Sequence, residues 1–234
     1  MFKNSFPRIV AASLFALLFP TSQALAMGIQ PETSVVLVHE NTGEGTIGIK
    51  NTGDEPVLLV SIIENIQEDQ DDWVTVSPPA AVLAPGKTQL VRFLLTNDKP
   101  LDTQRMKRAV FEGIPQSGEQ GNKLRLTIRQ DLPLIALPKG VPNDNAPWRK
   151  LQWEVRDGTL TVHNPSPYIV RMDQQVHAQP SNQALTLPKT YVLPGETLQL
   201  ATTGAPLQGQ STVRLYPASV YGYQVSSFDA PIKH

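Results

Sequence analysis

The chain has 234 residues, 21 of them proline and none cysteine, and its 20 basic and 21 acidic side chains give a net charge of −1. The lack of cysteine excludes disulfides and a thiol nucleophile. The lack of a basic excess argues against binding to nucleic acid or to anionic lipid. Short apolar runs alternate with turn residues and show no sustained helical period, which predicts an all-β protein built of sandwiches.

The first 26 residues have the three parts of a secretory signal peptide. Lys3 and Arg8 precede the apolar run IVAASLFALLF, and Ala24-Leu25-Ala26 forms a small-x-small cleavage site. We expect cleavage after Ala26, which leaves 18 basic and 21 acidic residues and a net charge of −3. A membrane anchor is the alternative, but the run is shorter than the roughly 18 residues that a spanning helix needs.

Seven strands are predicted in a first domain at 27–138, the number typical of one immunoglobulin-like sandwich. They are expected at 33–40, 45–51, 57–66, 72–79, 89–95, 104–115 and 123–137. A polar hairpin, QSGEQGN, leads into the last of them, KLRLTIRQDLPLIAL. This strand is long, apolar at alternate positions and contains Pro133, which is typical of an edge strand rather than a central one.

A stretch rich in Pro, Gly and Asn at 139–147 predicts a linker, which places the second domain at 148–234. Strands predicted at 150–158, 159–164, 168–177, 190–201 and 212–227 indicate a smaller sandwich there. The segment VLAPGKTQLV of the first domain has a weak echo in VLPGETLQLA of the second. The echo favours two domains of similar construction.

Patterns typical of catalysis are absent from the sequence. The four histidines, His39, His163, His177 and His234, lack the spacing of metal ligands, and no cysteine could join them. No Gly-x-Ser-x-Gly, His-Glu-x-x-His or phosphate-binding glycine loop occurs. The sequence therefore predicts neither an enzyme nor a bound metal or cofactor.

Two clusters of charge remain. An acidic run lacks the residue order of a calcium loop and is expected to be a solvated loop. A basic cluster is expected to be either a solvated sheet face or a functional surface. The acidic run comprises Glu64, Glu68, Asp69, Asp71 and Asp72. The basic cluster comprises Arg105, Lys107, Arg108, Arg125 and Arg129.

Five short motifs follow one another in a recognisable order. They are SPP at 77–79, PG at 85–86 before KTQLVRF, EGIP at 112–115, NPSPY at 164–168 and LPG at 193–195. With the signal peptide, this succession resembles the periplasmic pilus assembly chaperones (PapD-like) of Gram-negative bacteria. The resemblance extends from Met27 to His234, and the short hairpin without cysteine resembles the short-loop type.

The resemblance implies a boomerang of two immunoglobulin-like domains in the periplasm. Such a chaperone binds, folds and caps pilus subunits by adding its long edge strand to the groove of the subunit, and delivers them to an outer-membrane usher. Leu124, Leu126 and Ile128 are the expected donor residues. The alternate apolar residues from Leu132 to Ala136 are expected in the chaperone's own core, with a division near Gln130. The resemblance also allows a dimer in which two free chaperones cover each other's strand.

Two basic residues that usually anchor the subunit's terminal carboxylate in this family are absent here. Their positions fall near Thr33 or Ser34 and near Pro133. We expect Arg129, Arg108 or both to replace them, because a bidentate arginine suits a carboxylate.

The family's interdomain ion-pair positions are apolar, at about Ala84, Leu137 and Val220, which predicts a hinge held by packing. A pilus structural subunit or adhesin is the alternative function, but it would have one incomplete sandwich. A periplasmic enzyme on a sandwich fold would need paired carboxylates on adjacent strands, whereas the carboxylates cluster in loops.

Overall fold

The computed structural model of the chain describes residues 28–115, 127–156, 158–202, 207 and 209–233. These residues form two β-sandwich domains with a single short 3-10 helix, Pro147–Lys150, between them. The all-β, two-domain prediction is therefore confirmed. In the described part of the chain, no helix is both long enough and apolar enough to cross a membrane.

Nine strands make up the described part of the first domain. They are β1 (Ile29–Pro31), β2 (Val36–His39), β3 (Glu44–Asn51), β4 (Val57–Glu64), β5 (Val74–Ser77), β6 (Ala80–Leu83), β7 (Thr88–Leu95), β8 (Arg105–Pro115) and β9 (Ile128–Leu137). Their order is β5-β7-β3-β2-β9-β8-β4-β6, and β1 pairs with β3 off this path. Both halves of this folded sheet contribute to one core, in which Phe93 of β7 meets Phe111 of β8 edge to face at 6.2 Å. The two halves thus pack face to face, and β2 connects them because it lies between β3 and β9 in the strand order.

The second domain contains ten strands among its described residues. They are β10 (Gln152–Arg156), β11 (Thr159–His163), β12 (Val170–Arg171), β13 (Gln175–Gln179), β14 (Gln183–Thr186), β15 (Tyr191–Val192), β16 (Thr197–Gln199), β17 (Ala201–Thr202), β18 (Thr212–Leu215) and β19 (Phe228–Lys233). Eight of them form a sheet in the order β16-β11-β10-β19-β18-β13-β14-β17, and β12 pairs with β15. Trp148 and Trp153 both lie in the core of this domain.

A buried asparagine explains the sequence echo between the domains. In the first domain, Asn51 at the end of β3 donates its side-chain amide to the carbonyls of Glu55 and Leu83 and accepts the N–H of Gly86 on its main-chain carbonyl. In the second, Asn164 follows β11 and accepts the N–H of Gly195 in the same way. Each glycine follows a proline and has a positive φ, so each Pro-Gly turn is fastened to an equivalent asparagine.

The predictions missed four strands that have weak local signals. β1 and β6 are short, β14 is largely polar, and β19 contains Pro231 near the end of the chain. β19 nevertheless pairs with both β18 and β10, so tertiary packing rather than local propensity defines it. The strand predicted at 212–227 ends at Leu215 in the structure, and the strand predicted at 168–177 is divided between β12 and β13.

Part of the acidic run pairs with part of the basic cluster. Asp71 and Asp72 are exposed, as expected of a solvated loop, whereas Asp69 is half-buried. Arg105 Nη2 donates to Asp69 Oδ1 at 2.6 Å and to Asp71 Oδ2 at 2.9 Å. Lys107 is buried, with 1% of its side chain exposed, and donates to Asn65 Oδ1 and to the Asp69 carbonyl at 2.7 Å. The β4–β5 loop is thereby fastened to β8. Among the described residues, no group of acidic and histidine side chains is arranged to hold a metal ion.

Asp69 is the centre of this network. Burial by itself raises the pKa of its carboxyl, but hydrogen bonding and the charge of Arg105, with the charge of Lys107, hold that pKa below the ordinary value of 3.8. Only 12% of the Asp69 side chain is exposed, whereas 80% of Asp71 is. Asp69 is therefore the carboxylate that compensates the buried lysine.

We expect Asp69→Asn to lower the free energy of unfolding by about 3 kcal/mol, because it leaves the buried Lys107 ammonium without a counter-charge. Asp71→Asn, the matched control, should cost no more than about 0.5 kcal/mol, because its carboxylate is exposed. Urea titration at neutral pH measures both.

The pKa of Asp69 also sets the pH dependence of this difference. Because its folded pKa is depressed, its contribution is complete above the ordinary value and is lost as pH falls through the folded pKa. The stability gap between wild type and Asp69→Asn should therefore narrow on acidification below about pH 4. Equal free energies of unfolding for Asp69→Asn and Asp71→Asn at neutral pH would contradict this role of Asp69.

Candidate functional site

One edge of the long strand β9 is open over half of its length. On one side, β9 pairs with β8 from Ile128↔Gly113 to Ala136↔Arg105. On the other side, its partner β2 begins only at Val36↔Leu134. Residues 128–133 therefore have no strand partner on that side among the described residues, and their outward main-chain groups form an unpaired edge.

The path of the first strand creates this open edge. Its first segment, β1, pairs with β3 in the other half of the sandwich, in the register Ile29↔Asn51 to Pro31↔Ile49. The chain then crosses to β9, and Glu32 is fixed at the crossing because its Oε1 accepts the N–H of Gly48 at 2.7 Å. Since the segment that could pair with residues 128–133 is held by β3, the edge of β9 stays open.

Pro133 lies where the pairing of β9 changes. It is the last residue before β2 begins, and it has no N–H to donate to a neighbouring strand. The sequence placed the division of this strand near Gln130, whereas the structure places it at Pro133.

Side chains at even positions of β9 face the core. Leu134 and Ala136 are fully buried and Leu132 packs against the same core, as the alternation predicts. Ile128 is half-buried at the open end, where its side chain lies against Gly28. The other two expected donor residues, Leu124 and Leu126, lie outside the described residues.

Of the two expected anchor candidates, Arg129 lies at an odd position of β9 and Arg108 lies on the neighbouring strand β8. Arg129 Nη2 donates to both carboxylate oxygens of Glu64 at 2.7 Å, and its Nη1 donates to Glu112. Arg108 lies opposite Pro133 and donates through Nε to Asp131 at 2.7 Å. The structure thus places Arg129 between two carboxylates and Arg108 at the end of the open edge.

The same odd-numbered face of β9 continues into the junction between the domains. Ile135 packs there with Val35 and Met106 of the first domain and Ile169 of the second. This cluster supplies the packing that the sequence predicts for the hinge. Lys189 also pairs with Glu68 across the junction, so an ion pair contributes as well, which the sequence did not predict.

Glu68 also accepts a hydrogen bond from the Tyr191 hydroxyl at 3.2 Å. Burial, together with the charge of Glu68, raises the pKa of Tyr191 to about 12, so the phenol remains a donor at neutral pH. Burial raises the pKa of Glu68, but the hydrogen bond and charge of Lys189 hold it below the ordinary value. The junction thus contains an ion pair and a hydrogen bond to Glu68 besides its apolar contact.

The expected anchor position at Ser34 is occupied by contact with the second domain. Ser34 Oγ donates to the Tyr221 carbonyl at 3.2 Å, and a Cβ added to Gly222 would collide with Ser34 Oγ. That Cβ would lie 3.9 Å from Nη1 of Arg171, so this arginine is beside Ser34. The sequence reasoning missed Arg171; its signal was a single basic residue in the apolar segment YIVRM.

Both halves of the chain match known families. Residues 28–142 match the family described as pili and flagellar-assembly chaperone, PapD N-terminal domain, and residues 146–228 match pili assembly chaperone PapD, C-terminal domain. The fimbrial chaperone YhcA of Escherichia coli K12 is 37% identical over 221 residues, which cover 94% of this chain and 97% of that protein. The chaperone protein FimB/FhaD of Bordetella pertussis is 29% identical over 216 residues, covering 84% and 86%.

Solved structures share the fold. The Salmonella enterica SafB chaperone, solved in complex with the SafA pilin, gives a TM-score of 0.72 at 20% identity and covers 88% of this chain and 96% of its own. The CupB2 chaperone of Pseudomonas aeruginosa gives 0.69 at 20% identity and covers 87% and 100%. Together with the two matched domains and the relative at 37% identity, these likenesses show that the chain belongs to the PapD-like family of pilus assembly chaperones.

Proposed function

We propose that this protein binds pilus subunits by lending them the open edge of β9. A subunit strand would pair with the main chain of residues 128–133, which gives affinity that depends little on sequence. Ile128, together with Leu124 and Leu126, would supply the apolar side chains that fill the subunit's groove. The unpaired edge at 128–133, in a chain of this family, is the observation that carries the proposal.

The rest of the cycle follows from the family. The protein acts in the periplasm, caps the subunit until it reaches an outer-membrane usher, and arrives there through a signal peptide cleaved after Ala26. Its domains extend over 27–138 and 148–234. It works without catalysis or a cofactor, and when free it covers its open edge by pairing with a second copy. The alternative, a pilus structural subunit or adhesin, has no support in a chain with two domains of this family.

We expect Ile128→Asp to weaken the complex with a co-expressed subunit by at least about 100-fold, because a carboxylate would have to enter an apolar groove. Leu90→Asp is the matched control, since Leu90 is 52% exposed on β7 in the other half of the sandwich. Co-purification followed by titration measures both, and circular dichroism checks that each variant folds. Normal subunit binding by Ile128→Asp would contradict the donor-strand proposal.

Hydrogen exchange tests the open edge directly. Alternate amides of residues 128–132 point away from β8 and should exchange rapidly in the monomeric chaperone. Amides of residues 134–137 lie between β8 and β2 and should be protected. Formation of the subunit complex should protect the edge amides by at least about tenfold. If exchange at 128–132 is the same with and without the subunit, the subunit binds elsewhere.

For the anchor of the subunit's terminal carboxylate, we propose Arg108 and Arg129 as the candidates, and the number of their present partners favours Arg108. Arg129 already bonds to two carboxylates, those of Glu64 and Glu112, whereas Arg108 bonds to one, that of Asp131. Arg108→Ala should therefore weaken subunit binding by about tenfold, and Arg129→Ala by about twofold or less. Surface plasmon resonance with a refolded subunit measures both. Wild-type affinity in both variants would place the anchor elsewhere.

A further inference from the structure

The open edge of β9 has a competitor within its own chain. Residues 28–35 directly precede β2, and β2 already pairs with β9 in parallel. If that pairing continued toward the amino terminus, this first segment would lie along residues 128–133 and close the edge. A segment tethered to its own target acts at a high effective concentration, so it would compete strongly with any separate polypeptide. The edge is available to a partner only if the closed pairing is unfavourable.

The side chains of β2 alternate between two environments. Val36 and Val38 are buried in the core of the first domain. Val35 and Leu37 instead lie against the apolar cluster at the domain junction. Because side chains alternate along a strand, the even-numbered positions of any extension of β2 would face the core, and the odd-numbered positions would face away from it.

The first segment has the opposite alternation. In β1, the odd-numbered Ile29 is buried in the core, and the even-numbered Gln30 is exposed. Glu32 and Ser34, the next even-numbered residues, are exposed as well. The chain bends at residues 32–35, between β1 and β2. The move from β3 to β9 therefore coincides with a change in which side chains face the core.

The register of β2 on β9 shows what closure would require. Continued backward from Val36↔Leu134, it gives three core-facing pairs: Ser34↔Leu132, Glu32↔Gln130 and Gln30↔Ile128. Three polar side chains, one of them a carboxylate, would leave water for half-buried positions, and Ile29 would leave the core. A shift by one residue would restore the alternation, but it needs a bulge, and bulges are rare in parallel pairs.

Hydrogen bonds also hold both ends of β1 on β3. At its start, the main-chain carbonyl of Gly28 accepts the N–H and the hydroxyl of Thr52, each at 2.7 Å. At its end, Glu32 donates its N–H to the Gly48 carbonyl at 2.9 Å and accepts the Gly48 N–H on Oε1 at 2.7 Å. A Cβ on Gly48 would lie 2.6 Å from Glu32 Oε2, so the glycine makes room for this carboxylate. Glu32 therefore stabilises the open arrangement and would destabilise the closed one.

We propose that Gln30, Glu32 and Ser34 keep the edge of β9 open by preventing the protein's own first segment from pairing with it. Their polarity makes the closed register unfavourable, and Glu32 in addition fastens the segment to β3. The consequence for subunit binding rests on the proposed function. The closed pairing itself is measured on the chaperone alone.

The test makes the first segment compatible with the closed register. One variant combines Gln30→Val, Glu32→Val and Ser34→Val, which places valine at every even-numbered position from 30 to 38. The outward amides of residues 128–132 should then exchange at least about tenfold more slowly than in wild type, because they gain a strand partner. NMR measures the exchange. The protection should persist on dilution, because a pairing within one chain does not depend on concentration, whereas pairing with a second copy does.

The matched control combines Pro31→Val, Glu32→Ala and Thr33→Val. It removes the same Glu32 contact and adds two valines, but at odd-numbered positions, which face away from the core in the closed register. Its outward amides at residues 128–132 should exchange within about twofold of the wild-type rates. Equal protection in both variants would show that the Glu32 contact alone holds the segment, and would overturn the role of alternation. Rapid exchange in both would overturn the proposal.

Circular dichroism and the melting temperature check that each variant is folded. If the variant with three valines is unfolded, Glu32→Val combined with Ser34→Val gives the same comparison, with slower exchange expected at residues 130–132. Rapid exchange there would overturn the proposal in the same way.

Subunit binding provides the second measurement. The variant with three valines should bind a subunit at least about tenfold more weakly than wild type, because the subunit must displace the closed segment. Slower exchange without loss of affinity would confirm the closed pairing and overturn the proposed function. Failure of the wild-type chaperone to bind any subunit would also overturn the proposed function, and the exchange rates would still decide the role of the three polar residues.

Discussion

The strand switch at the start of the first domain is the constraint on which the open edge of β9 depends. The chain first pairs with β3 as β1, and only then crosses to pair with one edge of β9 as β2. If the first strand had continued along β9, residues 128–133 would be central and closed to any partner. Glu32, which fastens the crossing to Gly48, therefore helps to keep that edge open although it lies away from it.

Ion pairs fasten the β4–β5 loop, which lies outside the apolar cores, to its neighbours. Lys107 and Arg105 fasten the β4–β5 loop to β8 through Asp69, and Glu68 of the same loop reaches Lys189 and Tyr191 of the second domain. One loop thus connects the strand that neighbours β9 with the other domain. The orientation of the domains and the position of β8 are consequently coupled through a short, highly charged segment.

The sequence predicted those features that depend on local pattern. Alternation in β9, its edge character at Pro133 and the two Pro-Gly turns all have short-range signals, and Leu132, Leu134 and Ala136 pack as their spacing predicts. The strand switch was not predictable, because Ile29–Pro31 has the same propensity for either partner. The pairing of Asp69 with Arg105 and Lys107, and that of Glu68 with Lys189, join residues that are distant in sequence. Only the tertiary fold brings such charges together.

The position of Gly222 limits which substitutions the sequence can accept there. Its missing side chain lets a loop of the second domain rest on Ser34, which leaves no room there for a long basic residue. The contact joins the segment between β1 and β2 to the second domain. That segment is the crossing that leaves one edge of residues 128–133 of β9 without a partner among the described strands. A larger side chain at position 222 would therefore disturb the crossing as well as the contact between the domains.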